Sequence, residues 1–178
     1  MTLSRTKQLA FLQDFIIPNH PMFKNDKKLR GMALNNPDWF DVEHLYEETN
    51  NLLSGYTKTA SKTAVVDATK GKKKIEYKTG TVYDIPTSKS LNSYRMVISS
   101  IESQSGIIKT ASIKASVFNK VNNKIDHFLI PQKDLASLRN SGGSNGKGLI
   151  VGSYNPVKDS YGNKMEKYRI SLEEMVLV

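Results

Sequence analysis

Asp67 and the triplet Glu76-Tyr77-Lys78 are residues whose types and spacing could do chemistry together. They fall within residues 64–78, which read as two short strands joined by a turn. Val65 and Val66 are β-branched and lead into Asp67. Thr69-Lys70-Gly71-Lys72 is polar and carries a glycine able to take a positive φ, and the chain resumes at Lys74. Alternation along the second strand puts Glu76 and Lys78 on one face, Ile75 and Tyr77 on the other. A turn that pairs Asp67 with Lys74 leaves Asp67 diagonally opposite Glu76 on that first face, roughly 7–8 Å away at the backbone. At that separation two carboxylates can converge on one cation. Hard oxygen donors suit Mg2+, which keeps several waters and accepts phosphate oxygens as further ligands. Such an ion polarises a phosphoryl group and lowers the pKa of a bound water. The Lys78 ammonium could orient or activate that water and offset the developing charge. The chemistry implied is phosphodiester hydrolysis. The bland alternative is a solvated, lysine-rich hairpin with an ordinary cross-strand ion pair. An acid two residues before a lysine also occurs at Asp26-Lys27-Lys28, outside any strand-like run.

The elements that must position these residues can be read on either side of them. Leu3, Leu9, Leu12, Phe15, Ile16 and Ile17 recur at roughly helical spacing and predict a helix over 3–17, ended by Pro18. A second short helix is expected over 26–34. A third starts at a cap on Asp38 or Asp41, runs to about Leu53 and stops before Gly55. Its apolar stripe is read as Leu45, Thr49, Leu52 and Leu53. Glu48 falls on that stripe and Glu47 points away. An inward acid is costly unless a partner compensates it.

Beyond the hairpin, 107–118 and 124–130 read as strands, while 93–102 fits strand or helix. Pro131 suits the first position of a helix over about 131–139. Leu149-Ile150-Val151 is a short strand, Tyr168-Arg169-Ile170-Ser171-Leu172 an edge strand, and 175–178 an apolar end. His127 is expected in a strand interior or at an edge, and Asp126 beside a lysine of a neighbouring strand. The fold class is therefore mixed α/β: one domain over 1–178, a central mixed sheet with helices on its faces. Residues 1–36 form an N-terminal helical segment used in packing or dimerisation.

Asp67, a short gap and then Glu76-Tyr77-Lys78 resembles the PD-(D/E)XK nuclease motif, and the tight spacing is similar to that of small type II restriction endonucleases. The likeness covers about residues 42–130, and Val66 stands where the motif often has proline. It implies a restriction-endonuclease-like core and an Mg2+-dependent endonuclease acting on DNA, with Asp67 and Glu76 on the metal and Lys78 assisting the water. Such nucleases often take a glutamate from the helix before the catalytic strands; Glu48 is the matching position, as a further catalytic and metal-binding residue. The resemblance further implies a homodimer that cuts both strands. A structure-selective enzyme such as a junction resolvase would use the same site.

Composition bounds the remaining possibilities. The chain has 178 residues, a formal net charge of +9 and no cysteine. Disulfides, thiolate metal sites and a cysteine nucleophile are excluded. His20, His44 and His127 are far apart in sequence, which argues against a histidine-rich metal site. The basic balance favours a polyanionic partner, above all nucleic acid. Lys58 and Lys62 in a polar loop, Lys72 in the turn, Thr79, Thr81 and Lys89 beyond it, and Lys147 in a glycine-rich loop are the candidate DNA contacts. Residues 141–148 fail the Walker A pattern at Ser141 and Gly148, so no nucleotide cofactor is expected. No apolar run approaches a membrane span and no signal-peptide core opens the chain. A cytoplasmic protein of prokaryotic or phage origin is expected. Two rival readings carry no catalysis: a basic DNA- or RNA-binding protein, and a protein-interaction module with a charged surface.

Overall fold

Ser4 accepts a hydrogen bond from the Lys7 amide and opens α1 (Arg5–Phe11). In the computed structural model, which describes residues 3–59, 66–87, 92–99, 101, 111–140, 148–162 and 164–178, helical structure runs on past Pro18. A π-helical turn over Leu12–Ile16 leads into α2 (Ile17–Asn19), which takes the proline into its first turn. Proline has no N–H and its ring clashes with the carbonyl four residues back. The wider π turn just before it takes those carbonyls out of register with the ring. Asn19 Nδ2 donates to the Phe15 carbonyl at 2.7 Å. The expected stop at Pro18 is corrected to Asn19.

Asp26 caps α3 (Lys27–Asn35). Asp41, not Asp38, caps α4 (Val42–Ser54), accepting from the His44 amide at 3.0 Å, and Gly55 ends it at φ 69°. The strands then follow in order: β1 (Thr57–Lys58), β2 (Ala68–Lys70), β3 (Lys73–Pro86), β4 (Tyr94–Ser99), β5 (Ser112–Asn119) and β6 (Lys124–Ile130). After them come α5 (Leu135–Leu138), β7 (Arg139–Asn140), β8 (Leu149–Asn155), β9 (Ser160–Tyr161), β10 (Arg169–Ile170) and α6 (Leu172–Leu177).

Two expected segments are corrected near the C-terminal half. The helix over 131–139 is a 3-10 turn, Gln132–Asp134, followed by the single turn of α5; Pro131, at ψ 141°, stands before it rather than in it. The apolar end is helical, because Ser171 and Glu174 form a reciprocal capping box at the start of α6. Within the 93–102 segment, which fitted strand or helix, Tyr94–Ser99 form the strand β4.

The sheet runs β10-β6-β5-β3-β4-β8-β7, with β2 and β1 added beside the start of β3 and β9 beside β8. Among the described strands only β3 and β5 are parallel, from Ile75↔Ser112 to Val82↔Asn119, so the sheet is mixed and helices flank it. Along β3, Ile75 and Tyr77 pack with Phe11, Phe15 and Tyr46 of the helical layer, whereas Val82 joins Met96, Ile98, Val117 and Phe128 on the opposite face. Gly80 lies between: a Cβ there would meet the Val97 carbonyl at 2.8 Å and Val117 Cγ2 at 2.9 Å. Among the described residues no helix is long and apolar enough to cross a membrane.

β3 holds two different neighbours along one edge. Its first residues pair with β2 up to Ala68↔Ile75, and its later ones pair with β4 from Gly80↔Ile98. Residues 76–79 fall between those two ladders, paired on their other side with β5. The motif residues Glu76 and Lys78 therefore stand where the sheet divides.

Candidate active site

The turn before β3 sets the first carboxylate. Gly71, at φ 59°, and Lys72 are the two loop residues between Lys70↔Lys73, a place for glycine that matches a type II′ hairpin turn. Lys74 faces Thr69, not Asp67. The expected register is thus corrected by two residues. A two-residue slip preserves which face each side chain takes, whereas a one-residue slip would have reversed it. Asp67 lies just past the ladder, tied to both neighbours of Glu76: its amide donates to the Ile75 carbonyl at 3.0 Å, and its Oδ2 accepts from the Tyr77 amide at 2.7 Å.

Glu76 is 3 % exposed. Lys78, two residues on and on the same face, donates from Nζ to Glu76 Oε1 at 2.6 Å. A buried carboxylate of this kind requires such a charge-assisted bond. Tyr77 locks the strand from the opposite face, its hydroxyl donating to Asn51 Oδ1 of α4 at 2.7 Å and its ring set edge-on to Tyr46 at 6.1 Å.

On the helix, Glu47 rather than Glu48 lies within electrostatic reach of the motif. Buried positions on α4 are Val42, Leu45, Tyr46, Thr49, Asn50 and Ser54; Leu52 is 54 % exposed. Tyr46, absent from the expected stripe, is its aromatic anchor and turns the helix so that Glu48 points to solvent. Glu48 lies instead 3.4 Å from His20 Nε2 and 3.8 Å from His44 Nε2. Glu47 is the half-buried residue, and it senses the motif. Burial first, then the negative charges of Asp67 and Glu76, push its carboxyl up to about 7, while Lys58 and Lys78 pull the other way. The clue lay in the sequence: an aromatic at 46 belongs at the centre of an inward stripe, and its neighbour then flanks the β3 side.

The candidate DNA contacts divide. Lys72 is exposed at the hairpin tip, and Lys58 is exposed beside His44 Nδ1 at 3.2 Å, within electrostatic reach of Glu47. Thr79 and Thr81 share the helix-facing side of β3 with Tyr77 and are half-buried, and Thr81 Oγ1 accepts from Lys7 Nζ at 3.4 Å. Lys62, Lys89 and Lys147 lie outside the described residues. His127 is buried in β6, as expected, and Asp126 pairs with Arg169 of β10 at 2.8 Å rather than with a lysine.

No protein-family model matches this chain, and no curated protein matches it.

The chemistry open to the site follows from its donor set. Glu47, Asp67 and Glu76 are hard oxygen donors, and the repulsion that raises Glu47 is relieved by a cation. Among the described residues no three Asp, Glu or His side chains are gathered into a ready-made metal cage. Mg2+ does not need one, since it is commonly held by one or two carboxylates, with waters and phosphate completing its shell. Asp67 and Glu76 would hold such an ion, with Glu47 within electrostatic reach of both. A carboxyl near 7 is also poised to accept or release a proton at neutral pH.

Proposed function

We propose that this chain is an Mg2+-dependent DNA endonuclease of the PD-(D/E)XK type, most like a small type II restriction enzyme. The observation that carries this reading is the meeting of Asp67, Glu76 and Lys78, with Glu47 under the influence of all three, where β3 passes from one ladder to another. The strand pairing β2–β3, the parallel β3–β5 pair and α4 laid across them would be the family's core. When bound, Mg2+ would polarise the scissile phosphate and acidify the attacking water. Asp67 and Glu76 would provide its anionic ligands. Lys78 supplies positive charge beside Glu76 and orients the nucleophile. Glu47 takes up the proton that the water gives up. Lys58 and Lys72 are the described basic contacts for the DNA backbone. Homodimerisation, a prokaryotic or phage cytoplasm, and the alternative of a branched-DNA substrate belong to the same reading.

One observation favours a second reading. The Lys78–Glu76 pair is closed at 2.6 Å, as a purely structural ion pair would be. A non-catalytic basic nucleic-acid-binding protein would keep that pair and still bind DNA through its charge. Linear, supercoiled and branched DNA, incubated with Mg2+ or with EDTA, separates the two. Metal-dependent cleavage supports the nuclease; salt-sensitive binding without cleavage of any substrate supports the binder.

A further inference from the structure

At the β10 edge of the sheet, β6 and β10 meet the π-helical turn and the start of α6. A cavity of about 470 Å³ opens there, lined by Asp14, Phe15, Asp126, His127, Glu166 and Arg169, with Ile170 and Leu172 among its apolar walls. That volume falls within the range of small-molecule sites.

The charges around it are unevenly satisfied. Asp126 is consumed: Arg169 Nη2 donates to Oδ1 at 2.8 Å and the Tyr161 hydroxyl to Oδ2 at 2.5 Å. Arg169 is consumed in turn by Asp126, Asp159 and Glu166. Glu166 Oε2 accepts from the Tyr161 amide at 2.6 Å. Asp14 at the rim makes no hydrogen bond or ion pair among the described residues, and burial raises its carboxyl. In a chain of net charge +9 this is a locally acidic mouth.

His127 points to a ligand independently. Its ring is 7 % exposed and borders the cavity. Nδ1 is held by Ser116 Oγ at 2.8 Å, and Ser116 is held by the Tyr46 hydroxyl at 2.7 Å, which fixes the ring. Nε2 carries no hydrogen bond among the described residues. Burial pushes the imidazole down to about 4, so it is neutral and able to accept through Nε2 when Nδ1 holds the proton.

We propose that this cavity is a binding site for a small aliphatic amine, its ammonium held by Asp14 and His127 Nε2 and its hydrocarbon body against Phe15, Ile170 and Leu172. Anions are disfavoured because the one guanidinium present is already shared among three carboxylates. The site is separate from the Asp67–Glu76–Lys78 constellation and does not depend on its reading.

The test uses the full-length protein with n-butylamine, and with n-butanol and butyrate as neutral and anionic controls. The expected result is saturable binding of n-butylamine by calorimetry, with neither control binding. The NMR signals of His127 should shift while those of His20 and His44 stay. Asp14→Asn, at an exposed position, should keep the fold and weaken binding at least tenfold. Equal binding of n-butanol, an unmoved His127, or an Asp14→Asn variant that binds as well as the parent would each overturn the proposal.

Discussion

Glu47 and Glu48 differ by one position on a helix and by their whole electrical surroundings. Glu48 sits beside two histidines, and Glu47 feels the charges of two carboxylates and two lysines. Loss of an acid–base group typically slows such chemistry by about a hundredfold or more. Glu47→Gln should therefore reduce Mg2+-dependent cleavage at least ~100-fold, whereas Glu48→Gln should leave it near the parent rate; single-turnover assays on plasmid DNA make the comparison. Glu47 also predicts a pH effect on stability. Its carboxyl titrates near the ordinary glutamate value of 4.5 when unfolded, and burial pushes it up to about 7 in the fold. The native state therefore binds the extra proton in between, and its stability falls as pH rises from 4.5 through about 7. Thermal melts across that window should show a shallower fall for Glu47→Gln than for the parent. Mg2+ should raise the melting temperature more at pH 8 than at pH 5, because binding displaces a proton. A parent and variant with parallel profiles would remove Glu47 from the site.

At the scale of elements, the hairpin and the crowded crossing of β3 make the sharpest demands on sequence. Gly71 holds φ 59° with open space around its Cα, so Gly71→Ala tests backbone conformation alone. It should cost about 1–2 kcal/mol in urea denaturation. Gly80→Ala is a different test. Its Cβ would press on a backbone carbonyl of β4 and a methyl of β5, and the overpacking should cost about 1–3 kcal/mol or more.

The same elements explain what was legible. The caps at Asp41 and Gly55, the glycine of the turn, and the strands β5 and β6 stand in the sequence because local chemistry determines them. The Ser171-x-x-Glu174 capping box was equally present, and it outweighs the apolar look of the last residues. The parallel pairing of β3 with β5 and the division of its opposite edge are long-range, and no local pattern specifies them. The rotation of α4 depended on weighing Tyr46 as core, and that one residue decides which glutamate comes within electrostatic reach of Asp67. Glu76 and Lys78 were legible because strand alternation survives a two-residue change of register.

For the whole molecule, the net charge of +9 bears on the nucleic-acid partner proposed above. A chain of net charge +9 should bind DNA electrostatically even where chemistry is blocked. About four phosphate contacts would give a salt slope near −3.6, hence roughly a 150-fold loss of affinity between 50 and 200 mM salt. Fluorescence anisotropy on a short duplex in EDTA measures this without cleavage. A salt-independent affinity, or none, would point to the protein-interaction module instead.

The central claim is that Asp67, Glu76 and Lys78 form a catalytic site rather than a structural ion pair. Its most direct test is cleavage of linear and supercoiled DNA by the parent, Glu76→Gln and Lys78→Ala, each with Mg2+ and with EDTA, beside a circular-dichroism check that all three are folded. The account predicts metal-dependent cutting by the parent and its loss in both folded variants, with DNA binding retained. Cutting that persists in both variants would contradict it, as would a folded, DNA-binding parent that cleaves no linear, supercoiled or branched substrate.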